Sequence, residues 1–429
     1  MFGFANFLLL ALFAAAVFDL IFALARGGGL RGALHGLWNT PHLLFGQQLA
    51  EWRLQLGRIL FAAGLAAYEI SVVFCNSMAR QNWAWVQGVM SPVLEWLAFL
   101  CFGAKILFGT RYTWRELLAG GALYFIARWV YFNSQNIWWI GIVVAVLAAK
   151  DVPLRRPLQV YFASGCAAMA VVLALHFAGI VAPDLTSERM GALRGTYGYG
   201  HPNTFGGLVF GLVLAYALLR AQKVRWVDCL LVFAVGVFLL VGPASRSAAL
   251  CTLALAVGLV FCRLRAGHSV PRWWPGTCAG MVGLTAAVSY LLPLLVIKVG
   301  PWNNDIGPAW LAKLDSLLTC RISLTWMAYR LLDVKIAGQV FNWPTVDNSF
   351  AFALVQFGPV VAALLGILFA AALWGHAKQG RRVEVCCLFA MLAYAYMEVQ
   401  PFHLTTNPTA LLLCGAVFAQ TSARWQKIE

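Results

Sequence analysis

Residues Leu193-Arg-Gly-Thr-Tyr-Gly-Tyr-Gly-His-Pro-Asn-Thr-Phe-Gly206 place Arg194, Tyr197, Tyr199, His201 and Asn203 in one glycine-rich turn between two long apolar runs. A guanidinium binds phosphate oxygens bidentately and keeps its charge at any relevant pH. An imidazole titrates near neutrality and suits proton abstraction from a hydroxyl. The two tyrosines can stack on sugar faces, and Asn203 can orient the histidine. His201 can equally cap the helix that Pro202 is placed to start. Together these residue types suit a substrate with phosphate and sugar parts.

Two further arginines stand in comparable settings. Arg246 lies in Gly242-Pro-Ala-Ser-Arg-Ser247, a hairpin between two apolar runs. It is either a phosphate ligand or a membrane-interface anchor. Arg321 falls within Lys313–Leu332, where Leu314, Leu317, Leu318, Leu324, Ala328 and Leu331 recur at helical spacing and predict one amphipathic helix. An arginine on that apolar stripe faces a partner or a cavity, or snorkels to water. Asp347, in Asp347-Asn-Ser-Phe350, reads as a base, as an acceptor from sugar hydroxyls, or as a helix cap. Trp302, Trp310 and Trp343 are candidate sugar-stacking or interface aromatics. His403 is a second histidine candidate with a weaker context, and His176 reads as a packed core residue.

These residues need a membrane frame to position them. The 429-residue chain is 62% hydrophobic and only 11% charged, a balance that excludes a soluble domain. Apolar runs near 4–25, 59–76, 84–108, 117–132, 137–149, 157–182, 203–220, 228–242, 247–262, 276–298, 350–374, 384–400 and 407–420 predict about thirteen spans, within a range of 12–14. Runs 137–149 and 407–420 are short and suit tilted or re-entrant helices. Period-2 alternation of the barrel kind is absent. The first run has no basic leader or small-residue cleavage site and reads as a retained helix. The fold class is therefore all-α: a polytopic transmembrane bundle forming one domain over 1–429. Its two outward loops, 183–202 and 299–349, are expected to build the active site, the second containing helix.

Charge sets the expected orientation. One alternating set of loops carries 20 Lys and Arg and the opposite set carries 9, so the positive-inside rule places the first set in the cytoplasm. The N-terminus is then outside and the C-terminus inside. The formal charge of +15 reads as topogenic and lipid-facing; no nucleic-acid partner is expected. Asp19, Glu69, Glu95 and Arg128 are costly intramembrane charges, with Glu69 or Glu95 a candidate partner for Arg128. The eleven cysteines follow no metal-ligand spacing, and no metal or cofactor is expected.

The ordered set Arg194–Gly206, Ser245-Arg-Ser247, Leu314–Ser323, Asp347–Phe350 and Leu354-Val-Gln-Phe-Gly358 resembles the bacterial polysaccharide polymerase and O-antigen ligase family, and the repeat-unit polymerases of capsule and exopolysaccharide biosynthesis above all. The resemblance spans about residues 180–375, and the first half of the chain agrees only in hydropathy. It implies a metal-independent membrane glycosyltransferase of the bacterial cytoplasmic (inner) membrane, with its site facing outside. The donor would be a glycan on undecaprenyl diphosphate, and the acceptor a sugar hydroxyl of another lipid-linked repeat unit. Arg246 and Arg321 would hold the diphosphate, Arg194 would shape the site, and His201 or Asp347 would be the base. Lipid-linked oligosaccharides and membrane lipids are the implied partners, with a chain-length regulator and a flippase beside them. Related ligases carry a base histidine in the long outward loop, whereas residues 299–349 hold none. Two other readings stay open: a ligase passing the glycan to a lipid or protein acceptor, and a transporter or flippase for lipid-linked glycans.

Overall fold

A computed structural model describes all residues except 1, 27–28, 46–50, 182–186, 190–191, 297–306 and 419–429. Parts of both outward loops, together with Trp302, therefore lie outside the described residues.

The chain opens with α1 (Phe2–Ala25) and α2 (Gly29–Asn39), then a two-residue strand β1 (His42–Leu43). Helix α3 (Glu51–Cys75), the short α4 (Ala79–Asn82) and α5 (Ser91–Phe108) follow, α5 being continuous with a π-turn over Val86–Met90. Strand β2 (Arg111–Tyr112) pairs antiparallel with β1. Thr113 and Glu116 form a reciprocal capping box that starts α6 (Trp114–Ser134), and Asn136 caps α7 (Ile137–Ala148). After α8 (Arg155–Phe177), β3 (Ser187–Arg189) and β4 (Ala192–Arg194) make a hairpin.

The second half holds α9 (Pro202–Leu219), α10 (Trp226–Val241), α11 (Arg246–Leu264) and α12 (Trp274–Leu291). The segment between α12 and the next helices carries α13 (Ala309–Leu317) and α14 (Arg321–Leu331). The chain then re-enters through α15 (Ser349–Phe352), a π-turn over Ala353–Phe357, α16 (Pro359–Lys378), α17 (Arg382–Met397) and α18 (Cys414–Val417). The described residues are all-α apart from two short strand pairs.

Among the described residues, eight helices are long and apolar enough to cross a membrane. Their surfaces agree with that use. On α1, Phe7, Leu10, Phe13 and Ile21 all point outward, an apolar face that water would not tolerate. Helix α9 sits at the other extreme, largely enclosed by α8, α11 and α17. Glycines on α9 let this happen: an added Cβ at Gly206 would lie 2.3 Å from Ser245 Oγ, and one at Gly211 would lie 2.5 Å from the Thr405 carbonyl. Small residues at such contacts allow the close packing that lipid itself does not drive.

Two expectations need correction. Lys313–Leu332 is not one helix. Buried Asp315 accepts from the Ile322 and Ser323 amides (2.7 and 3.1 Å) and from Ser323 Oγ (2.8 Å), capping α14 from within α13. Thr319 and Cys320 take left-handed geometry (φ 62° each) to make the turn. The sequence is periodic across the break, but a carboxylate seated on a new helix N-terminus is worth more than the extra helical turns. Arg128 likewise does not pair with Glu69 or Glu95. Its Nε donates to Asn6 Oδ1 at 2.8 Å, and its guanidinium lies 4.6 Å from the Phe132 ring centre. Asp19 meets His42 Nε2 at 3.3 Å.

The re-entry is pinned at Gly338 and Gly358, both with positive φ (76° and 87°). A Cβ at Gly358 would stand 2.2 Å from the Ile336 carbonyl oxygen, and one at Gly338 would stand 2.2 Å from that of Gln356. Neither backbone oxygen can swing away. Gly358→Ala is therefore expected to destabilise the protein by more than about 1–3 kcal/mol. Gly366→Ala on α16, where an added Cβ meets nothing, should leave the melting temperature unchanged or raised. Thermal unfolding of the two variants in the same detergent checks the pair, and equal melting temperatures would contradict the clamp.

Candidate active site

Three helix ends converge on one side of the bundle: the starts of α9 and α11 and the end of α17. Over them lies the start of α14. Arg194, the last residue of β4, is buried. It donates from Nε to the Pro243 carbonyl (3.4 Å), and from Nη2 to Ala244 O (3.2 Å) and Asn203 Oδ1 (2.8 Å). It thus ties the glycine-rich turn to the α10–α11 hairpin, where Ala244 has positive φ. Asn203 passes the contact on, its Nδ2 donating to Glu398 Oε1 at 3.1 Å.

Glu398 follows α17 and is itself buried. The same Oε1 accepts from Arg321 at 2.6 Å. Arg321, the first residue of α14, also donates to Ser247 Oγ (3.0 Å) and meets Asp347 Oδ2 at 3.4 Å. The result is a continuous polar chain: Arg194, Asn203, Glu398, Arg321, Asp347. Two guanidiniums, two carboxylates and one amide share it, so each buried charge has a partner, as low-dielectric burial requires. Within it, Asp347 is the open end: its side chain is 30% exposed against 6% for Glu398.

The remaining candidates fall around this chain in different roles. Asp347 does not cap; Asn348 does, accepting from the Phe350 and Ala351 amides. Arg246 is exposed beside the cluster as the first residue of α11. Tyr197 and Tyr199 both pack on Phe205, with ring centres 5.0 and 5.6 Å away, and Tyr199, fully buried, has no face open to a ligand. Trp310 and Trp343 stand exposed on the segment that carries α13 and α14 and in the chain that follows it. His403 lies against Trp138, ring centres 3.8 Å apart, and burial pushes its imidazole down to about 3, so it stays neutral.

His201 caps α9. Its Nδ1 accepts the Asn203 amide at 3.1 Å, so in the neutral ring Nε2 holds the proton. A ring in that state donates from its outer nitrogen and has no lone pair there to take a proton. His201→Asn, which keeps a capping acceptor, is accordingly expected to retain the helix and at least about a tenth of the activity, well short of the loss of a general base (10²–10⁴-fold). Complete loss with an unchanged melting temperature would return the histidine to the chemistry.

Glu398 joins this cluster although no motif pointed to it, and Ser247 joins it from the Ser245-Arg-Ser247 motif. Glu398 had one signal, a carboxylate at the end of an apolar run two residues before Gln400-Pro401. Beside the cluster runs an apolar cleft between α12, α16 and α17, lined by Tyr290, Phe350, Leu365, Phe369 and Leu392. Ser349 belongs to both: it lines the cleft, and its Oγ donates to the Glu398 carbonyl at 2.5 Å. Among the described residues, no three His, Cys, Asp or Glu side chains gather as a metal ion would need. No protein-family model, no curated protein and no solved structure matches this chain.

Proposed function

We propose that this chain is a polysaccharide polymerase that transfers a glycan from a polyprenyl diphosphate to a sugar hydroxyl of another lipid-linked repeat unit. The observation that carries the reading is the junction at Ser349, where an arginine held among carboxylates adjoins an apolar cleft. A lipid diphosphate has that two-part chemistry, a polyanion on a hydrocarbon chain. In this reading thirteen helical segments span the membrane: the eight long ones together with α6, α7, α10, α17 and the segment 408–417. The Arg321 cluster then faces outside, the N-terminus lies outside and the C-terminus inside, in the inner membrane of a bacterium.

The chemistry needs three acts. Arg321, with Arg246 at the rim, takes the diphosphate oxygens and stabilises the charge that grows as the anomeric C–O bond breaks. Asp347, reached from outside, accepts the proton of the acceptor hydroxyl as its oxygen bonds to the anomeric carbon. Glu398 and Asn203 keep the guanidinium aimed between turnovers. The lipid diphosphate leaves with the bonding pair, and the glycan is one repeat longer.

The test is purified protein in liposomes with a labelled undecaprenyl-diphosphate repeat unit. A ladder spaced by one repeat, absent with Asp347→Asn although donor still binds, is the expected result. Donor crossing the bilayer with no ladder would make the protein a transporter and its arginines a binding site.

A further inference from the structure

The same helices that build the Arg321 cluster end at a second site on the opposite side of the bundle. Helices α9 and α11 finish there and α17 starts there, joined by the starts of α8 and α10. Between them is a cavity of about 720 Å³, within the size range of small-molecule pockets, roughly 300–1,000 Å³. Its wall carries Arg155, Lys223, Arg225, Arg263 and Arg381, against Glu384 as the one acidic residue.

Part of the charge at this end is met within the chain, and part is open to solvent at Arg155, Lys223, Arg225 and Arg263. Arg220 is taken up by Asp228 at 3.1 Å, and Arg382 by the carbonyls of Arg265 and His268, which fix the α11–α12 loop as one wall. Among the described residues, Arg155, Arg263 and Arg381 make no side-chain hydrogen bond or ion pair. Elsewhere at this end the chain does pair its cations: Lys150 meets Glu116 at 3.2 Å, and Asp151 lies 3.9 Å from Arg111. Arg155, Arg225 and Arg381 moreover sit at helix starts, where the backbone dipole already presents positive charge. Two of these starts carry a carboxylate of their own in the first turn, Asp228 on α10, which accepts the Arg225 amide at 2.7 Å, and Glu384 on α17; the start of α8, with Arg155 and Arg156, carries none. A bias toward positive loops asks only for charge somewhere on that side; it does not ask that the charges surround a cavity.

We propose that this cavity binds a phosphate-bearing anion, received by Arg155, Arg263 and Arg381 and by the first amides of α8. The group can belong to a soluble diphosphate or to the headgroup of a membrane lipid. Nothing in the proposal depends on glycan transfer at the other end, and a failed ladder assay would leave it standing.

The test uses the full chain in nanodiscs. In phosphatidylcholine discs, titration calorimetry with inorganic diphosphate reads the soluble source; native mass spectrometry after exchange into phosphatidylglycerol reads the lipid source. In one arm the protein should show saturable one-to-one binding that weakens with salt. The double variant Arg155→Gln/Arg263→Gln should weaken it at least about tenfold, since each charge-assisted bond is worth about that or more. Arg156→Gln, adjacent in sequence but not lining the cavity, should stay within about twofold of wild type. If the double variant does not fold, Arg155→Gln alone carries the comparison. Saturable binding in neither arm, or an equal loss in Arg156→Gln, overturns the proposal; binding confined to one arm supports it and names the source.

Discussion

Arg321→Lys is expected to reduce ladder formation by at least about a hundredfold, the scale on which removing one preorganised donor to a developing anion is felt. The charge survives this substitution; the geometry does not. Arg321 directs one nitrogen to Ser247, one to Glu398 and one to Asp347, and a single ammonium cannot hold three diverging acceptors while offering a fork to a diphosphate. Arg246→Lys, at an exposed rim position, should lose activity too, but less. The comparison is made with both variants at equal reconstituted amounts. Near wild-type laddering from Arg321→Lys would remove this arginine from the diphosphate site.

Glu398→Ala should cost the most in stability. Its Oε1 is the acceptor for both Asn203 and Arg321, and its removal strands a largely buried guanidinium. Breaking one side of a buried pair costs about 3–5 kcal/mol, and the loss should appear as a large drop in melting temperature as well as lost laddering. Glu398→Gln keeps an acceptor oxygen at the same place and should recover much of the stability while leaving Arg321 less firmly aimed. The double variant Arg321→Met/Glu398→Leu, with both charges gone, should be more stable than Glu398→Ala. A Glu398→Ala protein melting with wild type would show that the pair is solvated, not buried.

Much of the frame was legible in the chain. Composition and run length are local quantities, and they foretold an all-α protein with long apolar helices. Pro202 after a polar residue marked the start of α9. The boundary of α14 was not legible, because Asp315 ends one helical run by capping the next, and its own spacing still looks helical. Arg321 was singled out, yet from its position on a stripe it could as well have snorkelled. Its main partner, Glu398, is 77 residues away, and no periodicity connects them.

The tyrosines and His201 teach the complementary lesson. Residue type said what each side chain can do, and the glycine-rich turn said that they lie close together. Whether a ring faces a ligand or a phenylalanine depends on where α10 brings Phe238 and how α9 presents Phe205. The sequence by itself thus determined the helices, their apolar faces and the pool of chemically able residues, since each follows from neighbours along one chain segment. The tertiary structure alone decided which charges met. Pairing a buried arginine with a carboxylate depends on helix ends from distant segments arriving at one point, and on the low dielectric there that makes an unpaired charge too costly to keep.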